Sequence, residues 1–202
     1  MINPKCFTIK IITGVLVVSC TMTAFAQAST DTPESVAANY MTAMRAEDWA
    51  RCATFMHPEA LTQLRRIMTP IVAADQSGQV RRQLFNVQNS NEFAQLSDTV
   101  VFERLMRAVS TQQPAETRSA LANMNTTIIG SISESSDVSH VLYRMQIPVA
   151  GATVTKLSVM SFKKHGATWR ALLTEDVEGL GAILNRRTPP SPPSPPGPRV
   201  RP

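Results

Sequence analysis

Val138-Ser-His-Val-Leu-Tyr-Arg-Met-Gln-Ile147 decides how the rest of the chain is read. Val141, Tyr143, Met145 and Ile147 fall in one row, with Ser139 as its polar start, and His140, Leu142, Arg144 and Gln146 fall in the other. Side chains along a strand switch face at every residue, so this run predicts a half-buried antiparallel strand. Upstream, Thr126–Ser133 carries Ile128, Ile129 and Ile132, and Glu134-Ser-Ser-Asp137 supplies the turn between the two runs. Downstream, Pro148 ends the strand and Gly151 permits the next turn. Within Thr153–Lys163, Leu157 and Val159 are in phase with each other, whereas Met160 and Phe162 are not; a bulge near the strand's end would restore the phase. Lys164-His-Gly-Ala167 reads as a hairpin turn, and Thr168–Thr174 sends Trp169, Ala171 and Leu173 inward, with Leu172 an exception.

Everything between Pro33 and this sheet reads as helices that pack on it. Thr32 is a cap, Pro33 occupies the first helical position and Glu34 faces the positive end of the helix dipole. Val36, Tyr40, Ala43 and Met44 then recur at helical spacing. Glu47-Asp48 breaks the run, and Asp48 caps a second helix with Trp49, Cys52, Ala53 and Met56 inward. His57-Pro58-Glu59 opens a third, with His57 as cap and Leu61, Leu64, Ile67 and Met68 inward; Pro70 ends or kinks it. The stretch from Ile71 to Gln95 reads least clearly, and Gly78 among polar neighbours suggests a loop. Ser97-Asp98 caps a helix over Thr99–Ser110 with Val101, Phe102, Leu105 and Val109 inward, and Pro114 starts a last one through Leu121. Helices first and a meander after them make an α+β fold, with the helices on a curved antiparallel four-stranded sheet.

The ends belong to other regimes. Met1–Ala26 has Lys5 and Lys10, the apolar run Ile11 to Val18, and the small-x-small triplet Ala24-Phe-Ala26, the pattern of a cleaved secretory signal. That run is shorter than the ~20 residues a membrane span needs. Export to the periplasm or beyond follows; the competing expectation is a lipoprotein acylated at Cys20, since Val17-Val-Ser-Cys20 loosely matches a lipobox. Residues 188–202 are dominated by proline and serine and read as a disordered, extended spacer.

Charge and composition exclude classes of function. Of the 20 Lys and Arg, two sit in the signal and four (Arg186, Arg187, Arg199 and Arg201) in or just before the tail, which leaves 14 against 15 Asp and Glu. The intervening domain is therefore nearly neutral, and the basic footprint of a nucleic-acid binder is absent. Outside the signal Cys52 is the single cysteine, placed among apolar residues as an inert thiol. The pairs Arg65-Arg66 and Arg81-Arg82 suit an anion, but solvated arginines are the default reading. No phosphate loop, nucleophile elbow or zinc motif is present, and no cofactor is implied.

The run Thr32-Pro-Glu-Ser-Val-Ala-Ala-Asn-Tyr-Met-Thr-Ala-Met-Arg-Ala-Glu-Asp-Trp49 and the closing Gly166-Ala-Thr-Trp-Arg-Ala-Leu-Leu173 resemble the nuclear transport factor two-like superfamily, which includes ketosteroid isomerase-like and polyketide cyclase-like proteins. The likeness covers about Thr32–Leu184, expected to form a single domain. It implies a cone of helices in a curled sheet with a pocket at the open end. Strand parity puts Ile128, Val141, Tyr143, Met145, Leu157, Val159, Trp169, Ala171 and Leu173 on the pocket face, with Tyr143, Met145, Val159 and Trp169 as candidate ligand contacts. None of these titrates near neutrality, so no catalytic residue is assigned and no metal set is seen. The expected role is a non-catalytic exported domain that binds an apolar small molecule or another envelope protein. The alternatives are a small isomerase or cyclase and a structural envelope protein.

Overall fold

The structure, a computed structural model, describes residues 31–149 and 151–173. The expected signal, the Cys20 alternative, the domain's end near Leu184 and the proline-rich tail lie outside the described residues. Among the described residues seven α-helices precede four strands, so the α+β order stands.

Helix α1 (Pro33–Arg45) starts as its sequence predicts: the Thr32 side chain accepts the Ser35 N–H, satisfying a donor the first turn leaves free. Val36, Ala37, Met41 and Ala43 are buried, with Tyr40 and Met44 packed beside them. In α2 (Trp49–Phe55), Asp48 accepts the Arg51 N–H at 3.0 Å, and Trp49, Cys52 and Ala53 go inward. Helix α3 (Pro58–Ala74) is capped by His57, whose Nδ1 accepts the Glu59 N–H at 3.2 Å.

Of the two alternatives for Pro70, that it ends α3 or kinks it, the first is overturned: α3 continues to Ala74. Met68 and Val72, buried on either side of the exposed Pro70, anchor that last stretch in the core and offset the hydrogen bond proline removes. Gly78 lies in the expected loop, between α3 and α4 (Gln79–Phe85), and α4 and α5 (Ser90–Gln95) occupy much of the rest of Ile71–Gln95. Each is too short for helical periodicity to show. They are held by Phe85 and Phe93, both buried, whose rings meet edge to face at 4.8 Å. Helix α6 (Asp98–Gln112) buries Val101, Phe102 and Leu105, and α7 (Ala115–Ala122) buries none of its own residues.

Strands β1 (Asn125–Ser133), β2 (Val138–Val149), β3 (Ala152–His165) and β4 (Thr168–Ala171) form an antiparallel meander in that order. On β2 the alternation holds, with Ser139, Val141 and Tyr143 buried. On β3 the expected phase is reversed. Phe162 and Met160 are the buried residues, opposite Ser139 and Val141, while Leu157 and Val159 face out, Val159 at 52% exposure. Register along β3 is unbroken, so no bulge repairs the phase there; the irregularity lies in β1 between Ile128 and Gly130. The physical reason is one of allocation. The buried core takes one face of the sheet, and a one-residue choice of register decides which of two apolar rows receives it. Phe162, the larger residue, goes in at 0% exposure. On β4, Ala171 is buried and Trp169 and Leu173 pack half-buried against the core, as their parity predicts.

The α2–α3 junction ties the helices to the sheet edge. Met56 forms a bridge with Ala171, the His57 N–H donates to the Ala171 carbonyl at 2.8 Å, and the Arg170 guanidinium donates to the Thr54 carbonyl at 2.7 Å.

Candidate functional site

Of the four residues expected to line a pocket, three face the core and one does not. Tyr143 is buried in the core, Met145 and Trp169 are half-buried against it, and Val159 stands on the opposite face of the sheet. Tyr143 lies close enough to Tyr40 to act on its phenol, whose pKa is raised above the ordinary value by burial first, then by Cys52 and Tyr143. Trp169 carries the Lys164 ammonium 5.0 Å from its ring centroid.

A cavity of about 370 Å³ lies elsewhere, among the end of α1, the start of α2, α6 and α7. Its wall is apolar and rich in sulfur: Met44, Trp49, Met106, Val109, Leu121 and Met124. Unbranched methionines adapt to irregular shapes. Polar groups lie along it as well, among them Arg45, Glu47, Ser110, Gln113 and Arg118. Glu47 stands in the left-handed backbone region at φ 53°, and the Ser110 hydroxyl donates to its carboxylate at 2.7 Å. A largely apolar pocket with a few placed polar groups is the usual form of a small-molecule site. Helical spacing identified Met44, Trp49 and Val109 as inward residues. That they share one cavity with α7 follows from the helix packing, and α7 itself has too weak an apolar face to announce this.

The remaining polar constellations are occupied structurally. Three of the four paired arginines, Arg65, Arg81 and Arg82, act as clamps. Arg65 donates to the Asp98 carboxylate and the Leu96 carbonyl, Arg81 to the carbonyls of Asp75 and Gln88, and Arg82 to that of Ser77. Burial lowers the His57 pKa below its ordinary value, with Lys163 and His165 adding to this and Glu59 and the Lys164 backbone opposing it. Its ring meets His165 edge-on at 5.5 Å, and Glu59 pairs with Lys163 at 2.9 Å. On the outer sheet face, His140 bridges Ser161 at 2.9 Å and Glu134 at 2.7 Å. This trio has the residue types of a nucleophile, base and acid, but none of the three lines the apolar cavity. Cys52 is fully buried and its thiol is pushed up to about 11 by burial, the opposite of an activated thiolate.

Among the described residues no group of three His, Cys, Asp or Glu is placed to hold a metal ion, and no helix is long and apolar enough to cross a membrane. Comparison of the chain with protein-family models, with curated proteins and with solved structures finds no match.

Proposed function

We propose that this domain is a non-catalytic binding module that takes an apolar small molecule into the cavity among α1, α2, α6 and α7, and that it works outside the cytoplasm. The observation that carries the reading is the wall of Met44, Trp49, Met106, Val109, Leu121 and Met124 around about 370 Å³. An isomerase-like activity would need a general base aimed at the guest. Glu47 is the only carboxylate among the lining residues, and it already accepts the Ser110 hydroxyl. The α+β order supports, at the level of architecture, the resemblance to the nuclear transport factor two-like superfamily, which stays part of this proposal.

The test is titration with 1-decanol, followed by calorimetry. The wild-type protein is expected to bind it saturably, and Val109→Trp, which fills the cavity, to weaken binding at least tenfold. No saturable binding up to the solubility of the alcohol would end the proposal.

A second reading has its own observation. Ile129, Ile132, Leu157 and Val159 are exposed on the outer sheet face, an apolar surface of the kind that docks a protein. Ile132→Lys with Val159→Lys would abolish such docking and leave decanol binding unchanged.

A further inference from the structure

The chemistry of the cavity's polar lining narrows the class of guest. Of the charged groups there, Glu47 is engaged by Ser110. Arg45 and Arg118 are different. Both line the cavity and both are exposed, yet among the described residues neither guanidinium makes a hydrogen bond or an ion pair. Every other arginine lining a described cleft has work to do: Arg104 donates to the Phe85 carbonyl at 2.6 Å, and Arg107 pairs with Glu103 at 2.6 Å. A guanidinium presents a planar fork of donors that matches a carboxylate in two parallel bonds.

We infer that the guest is an amphiphilic carboxylate, an acyl chain lying against Met44, Met106 and Met124 with its head group between Arg45 and Arg118. The inference rests on the apolar-ligand reading and adds its charge. Two free cations against one engaged acid make the lining net positive, which favours an anionic head and opposes a cationic one. The uncharged wall accepts the chain by displacing water from apolar surface.

The experiment compares three probes of equal chain length, decanoate, 1-decanol and decyltrimethylammonium, by calorimetry and by the fluorescence of Trp49. Trp169→Phe leaves Trp49 as the single tryptophan. Decanoate is expected to bind more tightly than the ammonium compound by at least tenfold. Arg45→Gln with Arg118→Gln should cut decanoate affinity about tenfold while changing that of decanol less than twofold. Raising sodium chloride to 0.5 M should weaken decanoate alone. Both arginines are exposed, so the double variant is expected to melt with the wild-type protein, and a matching melting curve verifies that the loss is local. Decanol binding with no preference for decanoate would overturn the carboxylate and leave the apolar pocket standing. A decanoate preference that survives the double substitution would overturn the assignment to Arg45 and Arg118. Binding of none of the three would remove the pocket reading and this inference together.

Discussion

The Ser110 hydroxyl donates to the Glu47 carboxylate at 2.7 Å, joining the turn between α1 and α2 to α6 beside the apolar cavity. The two residues are 63 positions apart in the chain. Glu47 holds this position from a backbone conformation that costs a residue with a Cβ about 1–2 kcal/mol. The turn is secured by the Asp48 N–H on the Ala43 carbonyl at 3.0 Å and the Glu47 N–H on the Met44 carbonyl at 3.1 Å.

Replacing Glu47 therefore has two opposing effects. Glu47→Gly relieves the backbone and loses the Ser110 bond, so folding stability should stay within about 1 kcal/mol of wild type. Glu47→Val loses the bond and adds a β-branched side chain at positive φ, and should cost about 1–3 kcal/mol. Urea unfolding of both variants checks this; a valine variant as stable as the glycine one would show that the turn adopts another conformation.

The phase of β3 is open to a direct comparison. Phe162→Ala should cost about 3–5 kcal/mol, since the ring is fully buried against Ser139 and Ala171. Val159→Ala, on the outer face, should stay within about 0.5 kcal/mol. Chemical denaturation showing the reverse order would restore the other parity.

Arg65 and Asp98 should couple. Arg65 donates to Asp98 and to the Leu96 carbonyl, and Thr62 donates to Asp98 at 2.7 Å, joining α3 to the start of α6. Burial tends to raise the Asp98 pKa, but the bonds from Thr62 and Arg65 win and hold it below the usual carboxylate range. Arg65→Met should destabilise by about 1.5–3 kcal/mol, and the double-mutant cycle with Asp98→Asn should show a coupling of about 0.5 kcal/mol or more. Additive effects would reduce the pair to a surface contact.

His57 makes stability pH-dependent in a window of its own. Its folded-state pKa is depressed, so as pH falls through the ordinary value of about 6.5 the unfolded chain takes up a proton that the folded one resists. Stability is full above that value and declines between it and the folded-state pKa. The depressed carboxylates Glu34, Glu59, Asp75 and Asp98 act in the same direction but lower, below about pH 4.5. Urea midpoints at pH 7.5 and 5.5 should therefore differ in the wild-type protein. In His57→Asn, which keeps an acceptor for the Glu59 N–H, that difference should shrink. An unchanged difference would assign it to another group.

Local chemistry was legible wherever neighbours along the chain decide the outcome. The caps at Thr32, Asp48, His57 and Ser97 satisfy donors a few residues away, so the starts of four helices could be read directly. The alternation from Val138 to Ile147 has one apolar row opposite a largely polar one, which leaves a single face to bury. In β3 both rows carry large apolar residues, and only contact with the core chose Phe162 and Met160 over Val159 and Leu157. Pro70 remains inside α3 because Met68 and Val72 are anchored by partners far off in the chain. The cavity belongs wholly to tertiary structure. Met44, Trp49 and Val109 read individually as core residues, and nothing local tells a filled interior from an unfilled one. That distinction depends on how closely α7, which buries no residue of its own, approaches α1 and α6. Packing distance between helices is a property of the assembled fold, and sequence periodicity carries only the direction in which each side chain points.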